Sequence, residues 1–265
     1  MKDLISQIKD YIGIDYGKVP YLYSNLSVYS PENPSVKAWI EKDKFGEIIA
    51  VFLLYHTSLH FYCRQERYIG SMLCELMSQY AINTVMLPHD KVELLSCFPS
   101  SDWNYDTDYI LLLQNELSNP NYSSLLVKSE DEISEIVRLL MQDPLYSNSY
   151  TIDQLESQLK ERWRAGYGKI FRYRESGKVV GCIAITGESD RFIFTGCLMV
   201  DPAHRREGVA NELVKACNSY SYTINKDRLC FVGVENKASM RLHEKYANPT
   251  VVGKIIKCHR KIANR

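Results

Sequence analysis

Residues 196–213 constrain the fold of this chain more than any other stretch. The run Gly196-Cys-Leu-Met-Val-Asp-Pro-Ala-His-Arg-Arg-Glu-Gly-Val-Ala-Asn-Glu-Leu213 carries an apolar strand into a short turn, then an Arg-x-x-Gly-x-Ala loop, then an amphipathic helix. That order leaves a row of backbone N–H groups unpaired at a helix N-terminus, where they suit a pyrophosphate. Gly208 has no side chain to obstruct a diphosphate, and Ala210 adds almost none. The candidate donors run from Arg206 through Glu207, Gly208, Val209 and Ala210 to Asn211. Either Arg205 or Arg206 could add a cationic contact to a phosphate.

The pattern around this step predicts a mixed α/β domain. After a polar, turn-rich connection at 114–123, a strand is expected at 125–128. Two capping boxes follow, Ser129 to Glu132 and Thr151 to Gln154, each opening a helix with an apolar face. Strands are expected at 169–174 and 179–186, joined by a Glu175-Ser-Gly177 turn, and at 191–200. A helix at 207–222, a strand at 229–234, a helix at 237–246 and closing strand or strands at 251–259 complete the order. The 191–200 strand is apolar on both faces, which places it centrally. Gly196 interrupts it, as at a bulge or a close backbone approach.

These residues resemble the GNAT superfamily of acetyl-CoA-dependent N-acetyltransferases. Arg205, Gly208 and Ala210 match its Arg/Gln-x-x-Gly-x-Gly/Ala motif. Asn236, Ser239 and Leu242 are similar to its Asn-x-x-Ser/Ala-x-x-Leu-Tyr helix, with His243 where tyrosine is usual. The resemblance covers roughly residues 123–262 and, more faintly, the half before. It implies the GNAT fold, a central mixed sheet flanked by helices, and acetyl-CoA as acyl donor. It further assigns the backbone of Leu198, Met199 and Val200 to the pantetheine arm, with the Leu198 N–H as oxyanion donor. Asn236 would bond the pantetheine or cap its helix, the two being compatible, with Ser239 in the same motif. His243 would protonate the leaving thiolate, its pKa raised by a neighbour such as Glu244. Tyr246, one turn on, is the alternative acid.

The implied reaction is direct attack by a primary amine, of a small molecule or a peptide, in a ternary complex. A non-catalytic acyl-CoA-binding or sensing protein is the alternative, and a structural tandem domain a third reading. No carboxylate stands within 192–200, so Glu188 and Asp190 at the strand's entrance are the nearest candidate bases. Tyr146, Tyr150, Trp163 and Tyr167 are expected to wall the acceptor side. His204 reads as a turn residue. The basic run Lys254, Lys257, Arg260, Lys261 and Arg265 reads as edge protection.

Residues 1–117 repeat the order strand, Arg-x-x-Gly, helix, strand, with Arg67, Gly70 and Met72 in the loop positions. They read as a degenerate GNAT-like domain, or as an unrelated α/β domain, ahead of a catalytic domain at 118–265. Met72 in the third loop position would crowd a diphosphate.

Lys+Arg and Asp+Glu are both 32, so no broad basic face exists for nucleic acid. Eight cysteines form no Cys-x-x-Cys pair, which argues against a disulfide framework and against a metal site. No apolar run reaches membrane-spanning length, and the N-terminus is too charged for a signal peptide, so a cytoplasmic protein without a membrane partner is expected. Monomer and homodimer are both compatible with the sequence.

Overall fold

The computed structural model describes residues 2–30, 32–114, 117–119, 121–166 and 168–261. Tyr167, Arg265 and part of the 114–123 connection lie outside the described residues. The chain forms two compact units, residues 1–110 with 232–235 and 251–265, and residues 111–231 with 236–250.

The first unit opens with α1 (Lys2–Ile12) and α2 (Pro20–Asn25), the latter started by proline at its first position. Three strands follow, β1 (Val36–Lys42), β2 (Ile48–Tyr55) and β3 (Ser58–Tyr62). Then come α3 (Met72–Gln79), β4 (Thr84–Pro88), a 3-10 segment (His89–Cys97) and β5 (Trp103–Leu113). β2 pairs antiparallel with β1 and β3, and β3 pairs parallel with β4. A parallel neighbour requires a crossover, and α3 supplies it. Phe52, Phe61, Leu73, Leu76, Val85, Phe98 and Trp103 fill the core between this sheet and α3.

In the second unit the strand expected at 125–128 is not formed: Leu125 ends a 3-10 turn (Tyr122–Leu125), and of the rest only Leu126 bridges, to Phe171. Then follow α4 (Glu130–Leu140), the short α5 (Pro144–Ser147) and α6 (Ile152–Arg164). β6 (Ile170–Glu175), β7 (Lys178–Glu188) and β8 (Phe192–Val200) precede α7 (Val209–Thr223), β9 (Asp227–Gly233), α8 (Lys237–Ala247) and β10 (Thr250–Arg260). The capping box at Thr151 is complete: Gln154 N–H donates to Oγ1 at 3.2 Å, and Thr151 N–H donates to Gln154 Oε1 at 3.0 Å. That at Ser129 is not. Glu132 accepts from Lys128 N–H at 2.7 Å and from Arg172 at 2.6 Å, and the serine makes no cap.

β7 pairs antiparallel with β6 and β8, and β8 pairs parallel with β9. The first unit's antiparallel, antiparallel, parallel order thus recurs, with α7 in the place of α3. β8 is central, as its two apolar faces required. Against one face pack α4 and α6, through Ile133, Ile136, Val137, Leu155 and Leu159. Against the other packs α7, through Val209, Leu213, Ala216 and Cys217. The chain's last strand returns to the first unit, where β10 pairs antiparallel with β4, Cys258 opposite Val85. Lys257 of the basic run makes an ion pair with Asp108 of β5 at 2.6 Å, and His259 lies 3.7 Å from Asp106. This basic strand lies between β4 and β5, not at an edge. Its other described cations are met within the fold, Lys254 over the Tyr109 ring, Arg260 over the Trp103 ring, and Lys261 Nζ donating to Ser100 C=O at 2.6 Å.

Candidate active site

The loop between β8 and α7 is built from the residues the sequence singled out. Asp201 accepts from Ala203 N–H at 2.9 Å and starts the turn Pro202–His204. Arg206 has φ +70° and Gly208 φ +87°, so the backbone alternates into the left-handed region just before the helix. Such alternation turns successive N–H groups toward one side, and glycine tolerates it at no steric cost. Among the described residues no backbone carbonyl accepts from the N–H groups of Arg206 to Asn211. The first helical bond is Glu212 N–H to Gly208 C=O, at 3.1 Å. A Cβ placed on Gly208 would meet nothing within 4 Å, so the space beside this residue is open. The residues present fit a diphosphate. Arg205, Glu207 and Arg206 are exposed; Arg205 Nε donates to Val200 C=O at 3.4 Å.

The expected bulge is present, one residue later than the glycine. Cys182 stands opposite Met199 and Ala184 opposite Gly196, so β8 carries an extra residue, and Cys197 has φ +55°. The insertion reverses the alternation of side chains. Ile193 faces α7 before the bulge, and after it Leu198 and Val200 do, while Cys197 and Met199 turn to α4 and α6. The parallel ladder to β9 stops at Thr195 and Cys230, although β8 continues to Val200. Leu198 to Val200 therefore present their backbone beyond the end of the ladder, as a ligand running alongside the strand requires.

Asn236 caps α8, its Oδ1 accepting from Ser239 N–H at 3.0 Å, and both its neighbours and its own side chain are exposed. His243 is placed otherwise than expected. It is 4% exposed, with Nε2 3.7 Å from Cys230 Sγ and Nδ1 without a partner among the described residues. Burial, reinforced by the charge of Arg228, pushes its pKa down to about 4. The expected rise is reversed, because the ring faces a buried strand and a cation rather than Glu244, which is exposed. At neutral pH the ring carries no spare proton. Tyr246, one turn on, is half-buried, and its C=O accepts from Asn218 Nδ2 at 3.1 Å. Glu188 is also displaced from its expected role. It closes β7 opposite Ile193 and is ion-paired with Lys226 at 2.8 Å. At about 3.3 Å per residue along a strand, that end lies roughly 16 Å from Leu198.

On the α4 and α6 side of the bulge, Tyr146, Tyr150, Trp163 and Cys197 pack against the same core. Burial raises the pKa of Tyr150 and of Cys197, against a lowering influence of Arg162 on both. Tyr146 bonds the Cys197 thiol, and neither Tyr150 nor Cys197 ionises readily at neutral pH. Arg162 is the residue that sequence reading overlooked. It is only 6% exposed and donates to Thr186 C=O. The available signal was its helical spacing: Leu155, Leu159 and Arg162 share one face of α6, and all three are buried.

His204 lies at the surface, 2.9 Å from Glu175 and 3.2 Å from Glu207. These three are the described group whose atoms could meet at a cation, and exposed acids of this kind are common without one.

A diphosphate-shaped helix start, a bulged central strand and a ladder that ends beside it are now in place. The acetyltransferase (GNAT) family profile matches residues 133–247, which contain all of these features. The family match lies within the second half of the chain. No curated protein sequence matches the chain at a significant level. Solved structures do. An X-ray structure of a Drosophila protein superposes with a TM-score of 0.67 at 13% identity, covering 100% of this chain and 96% of that one. A GCN5-related N-acetyltransferase-like protein from Streptococcus suis gives 0.60 at 10% identity, over 98% and 100%. A tandem GNAT protein from the clavulanic acid biosynthesis pathway gives 0.60 at 10%, over 100% and 97%. At such identities the likeness is one of fold. Among the described residues no helix of this chain is long and apolar enough to cross a membrane.

Proposed function

We propose that this chain is an N-acetyltransferase that moves the acetyl group of acetyl-CoA to a primary amine of a small molecule or peptide. The single observation that carries this reading is the coincidence of the open helix start at Gly208 with the bulge at Cys197. One feature would hold a diphosphate and the other an extended arm, and the loop at 201–208 separates them by only a few residues. Acetyl-CoA would supply an activated thioester. The N–H groups of Arg206 to Asn211 would bind its diphosphate, and the backbone of Leu198 to Val200 its pantetheine. The Leu198 N–H is the donor that a developing oxyanion would meet. Asn236 and Ser239 would border the same arm from α8. The repeated pairing order of the two units supports a tandem arrangement, with the acceptor side lined by Tyr146, Tyr150 and Trp163.

Tyr246 is the better candidate for the acid that protonates the leaving thiolate, since His243 is buried and neutral. A free CoA thiol ionises near the cysteine value of about 8.5, so the thiolate can also leave unaided at some loss of rate. A non-catalytic acyl-CoA-binding role is the second reading, favoured by that neutral histidine and by a central strand without a carboxylate. Release of free thiol from acetyl-CoA, measured with a panel of primary amines, separates the two. Amine-dependent release supports transfer. Saturable CoA binding with no release by any amine supports the binding protein.

A further inference from the structure

The first unit repeats the strand–loop–helix step, β3 to α3, and its helix start is occupied by the chain itself. Ser71 N–H donates to Glu41 Oε1 at 2.9 Å, and Met72 N–H donates to the same oxygen at 3.2 Å. Tyr68 donates its hydroxyl proton to Glu41 Oε2, and Leu73 N–H donates to the Tyr68 oxygen at 3.3 Å. The donors that α7 leaves open are therefore met in α3 by one carboxylate and the phenol it holds. Gly70 explains how the carboxylate gets so close: a Cβ there would collide with all three atoms of the Glu41 carboxyl group. Gly208, its counterpart, faces open space.

Carbonyls of the same loop are met from within the chain as well. Lys91, 2% exposed, donates from Nζ to Gln65 C=O at 2.5 Å and to Glu66 C=O at 3.1 Å. Glu41 reaches the loop from the end of β1, where the register against β2 shifts between Glu41 and Lys42. A shift of this kind re-aims a side chain at the end of a ladder. Carbonyls on a buried ammonium and N–H groups on a carboxylate make a loop whose polar groups are largely answered from within.

We propose that Glu41 is the resident anion of the first unit's helix start, an internal carboxylate that holds the place a phosphate takes in the second unit. The first unit then accepts no CoA, and the chain binds one molecule, through the second unit only. The block is electrostatic and steric occupation by Glu41, not the bulk of Met72, whose backbone N–H is itself one of the donors. This inference rests on the reading of the second unit as a CoA site for its stoichiometry, but not for the role of Glu41.

The test uses the full chain, amide-resolved NMR and two probes, CoA and inorganic pyrophosphate. In the wild type, CoA is expected to saturate at one equivalent and to shift the amides of Arg206 to Asn211, leaving those of Ser71, Met72 and Leu73 in place. A second equivalent, or movement of the Ser71 to Leu73 amides, overturns the proposal. In Glu41→Ala, with circular dichroism as fold control, pyrophosphate is expected to shift Ser71 and Met72 in a salt-dependent way. A folded variant in which those amides ignore pyrophosphate also overturns it. If CoA moves no amide of the wild type, the reading of the second unit fails, while pyrophosphate on Glu41→Ala still decides the part played by Glu41.

Discussion

His243→Leu separates the structural role of this histidine from a catalytic one. The ring is buried beside Cys230 and under the influence of Arg228, with a pKa near 4 against about 6.5 for an exposed imidazole. A depressed histidine adds stability that is fully present above its unfolded pKa and is lost as pH falls toward the folded one, because the unfolded chain takes up the proton first. The window here is about pH 6.5 down to 4. A gap of about 2.5 units corresponds to roughly 3 kcal/mol in full, and roughly 2 kcal/mol is already lost by pH 4.5. Leucine has a similar volume, cannot be protonated and leaves no orphaned ring nitrogen. Urea unfolding of both proteins at pH 7 and pH 4.5 is the assay, and the quantity of interest is the difference between them, since carboxylates titrate in both. The variant is expected to match the wild type within about 1 kcal/mol at pH 7 and to exceed it by about 2 kcal/mol at pH 4.5. Turnover with a competent amine should change less than threefold. A pH-independent difference refutes the buried-neutral account. A tenfold loss of turnover with unchanged CoA affinity restores His243 as the acid.

Ala210→Glu should remove measurable CoA binding in calorimetry while circular dichroism stays unchanged, since it sets a carboxylate among the donors a diphosphate needs; wild-type affinity would take the site away from this loop. Arg228→Met should stabilise the protein by about 1 to 3 kcal/mol in thermal or urea unfolding, because Arg228 is 0% exposed and its three nitrogens have no partner among the described residues. A loss of stability would mean that an unseen partner meets this guanidinium. Thr151→Ala should cost about 1 kcal/mol in the same unfolding assay, through the lost bond to Gln154 N–H, with no change in CoA affinity.

The sequence by itself determined the local steps. The order of strands and helices from 130 to 260 was legible because each element there has a clean period, and because Thr151, the Glu175-Ser-Gly177 turn and Gly208 are signals that act within a few residues. The loop at 205–211 was legible for the same reason: a glycine beside a helix start has few other uses. Where an element lacks a period the sequence was silent. β5 runs Trp-Asn-Tyr-Asp-Thr-Asp-Tyr-Ile-Leu-Leu-Leu, buried at Trp103, exposed over 104–106 and largely buried at its end, so neither alternation nor a uniform apolar run marks it. The 3-10 turn at Tyr122–Leu125 consists of residues that suit a strand as well.

Tertiary structure alone decided the electrostatics. Whether His243 is an acid or a core residue depends on Cys230 and Arg228, which are 13 and 15 positions away and meet it only through the packing of α8 on β9. Whether the loop before α3 can take an anion depends on Glu41, 30 residues earlier, and no local pattern links a strand-end glutamate to a later helix start. The pKa of a side chain and the vacancy of a helix N-terminus are set by which distant groups arrive there, so they become visible only once the chain has folded.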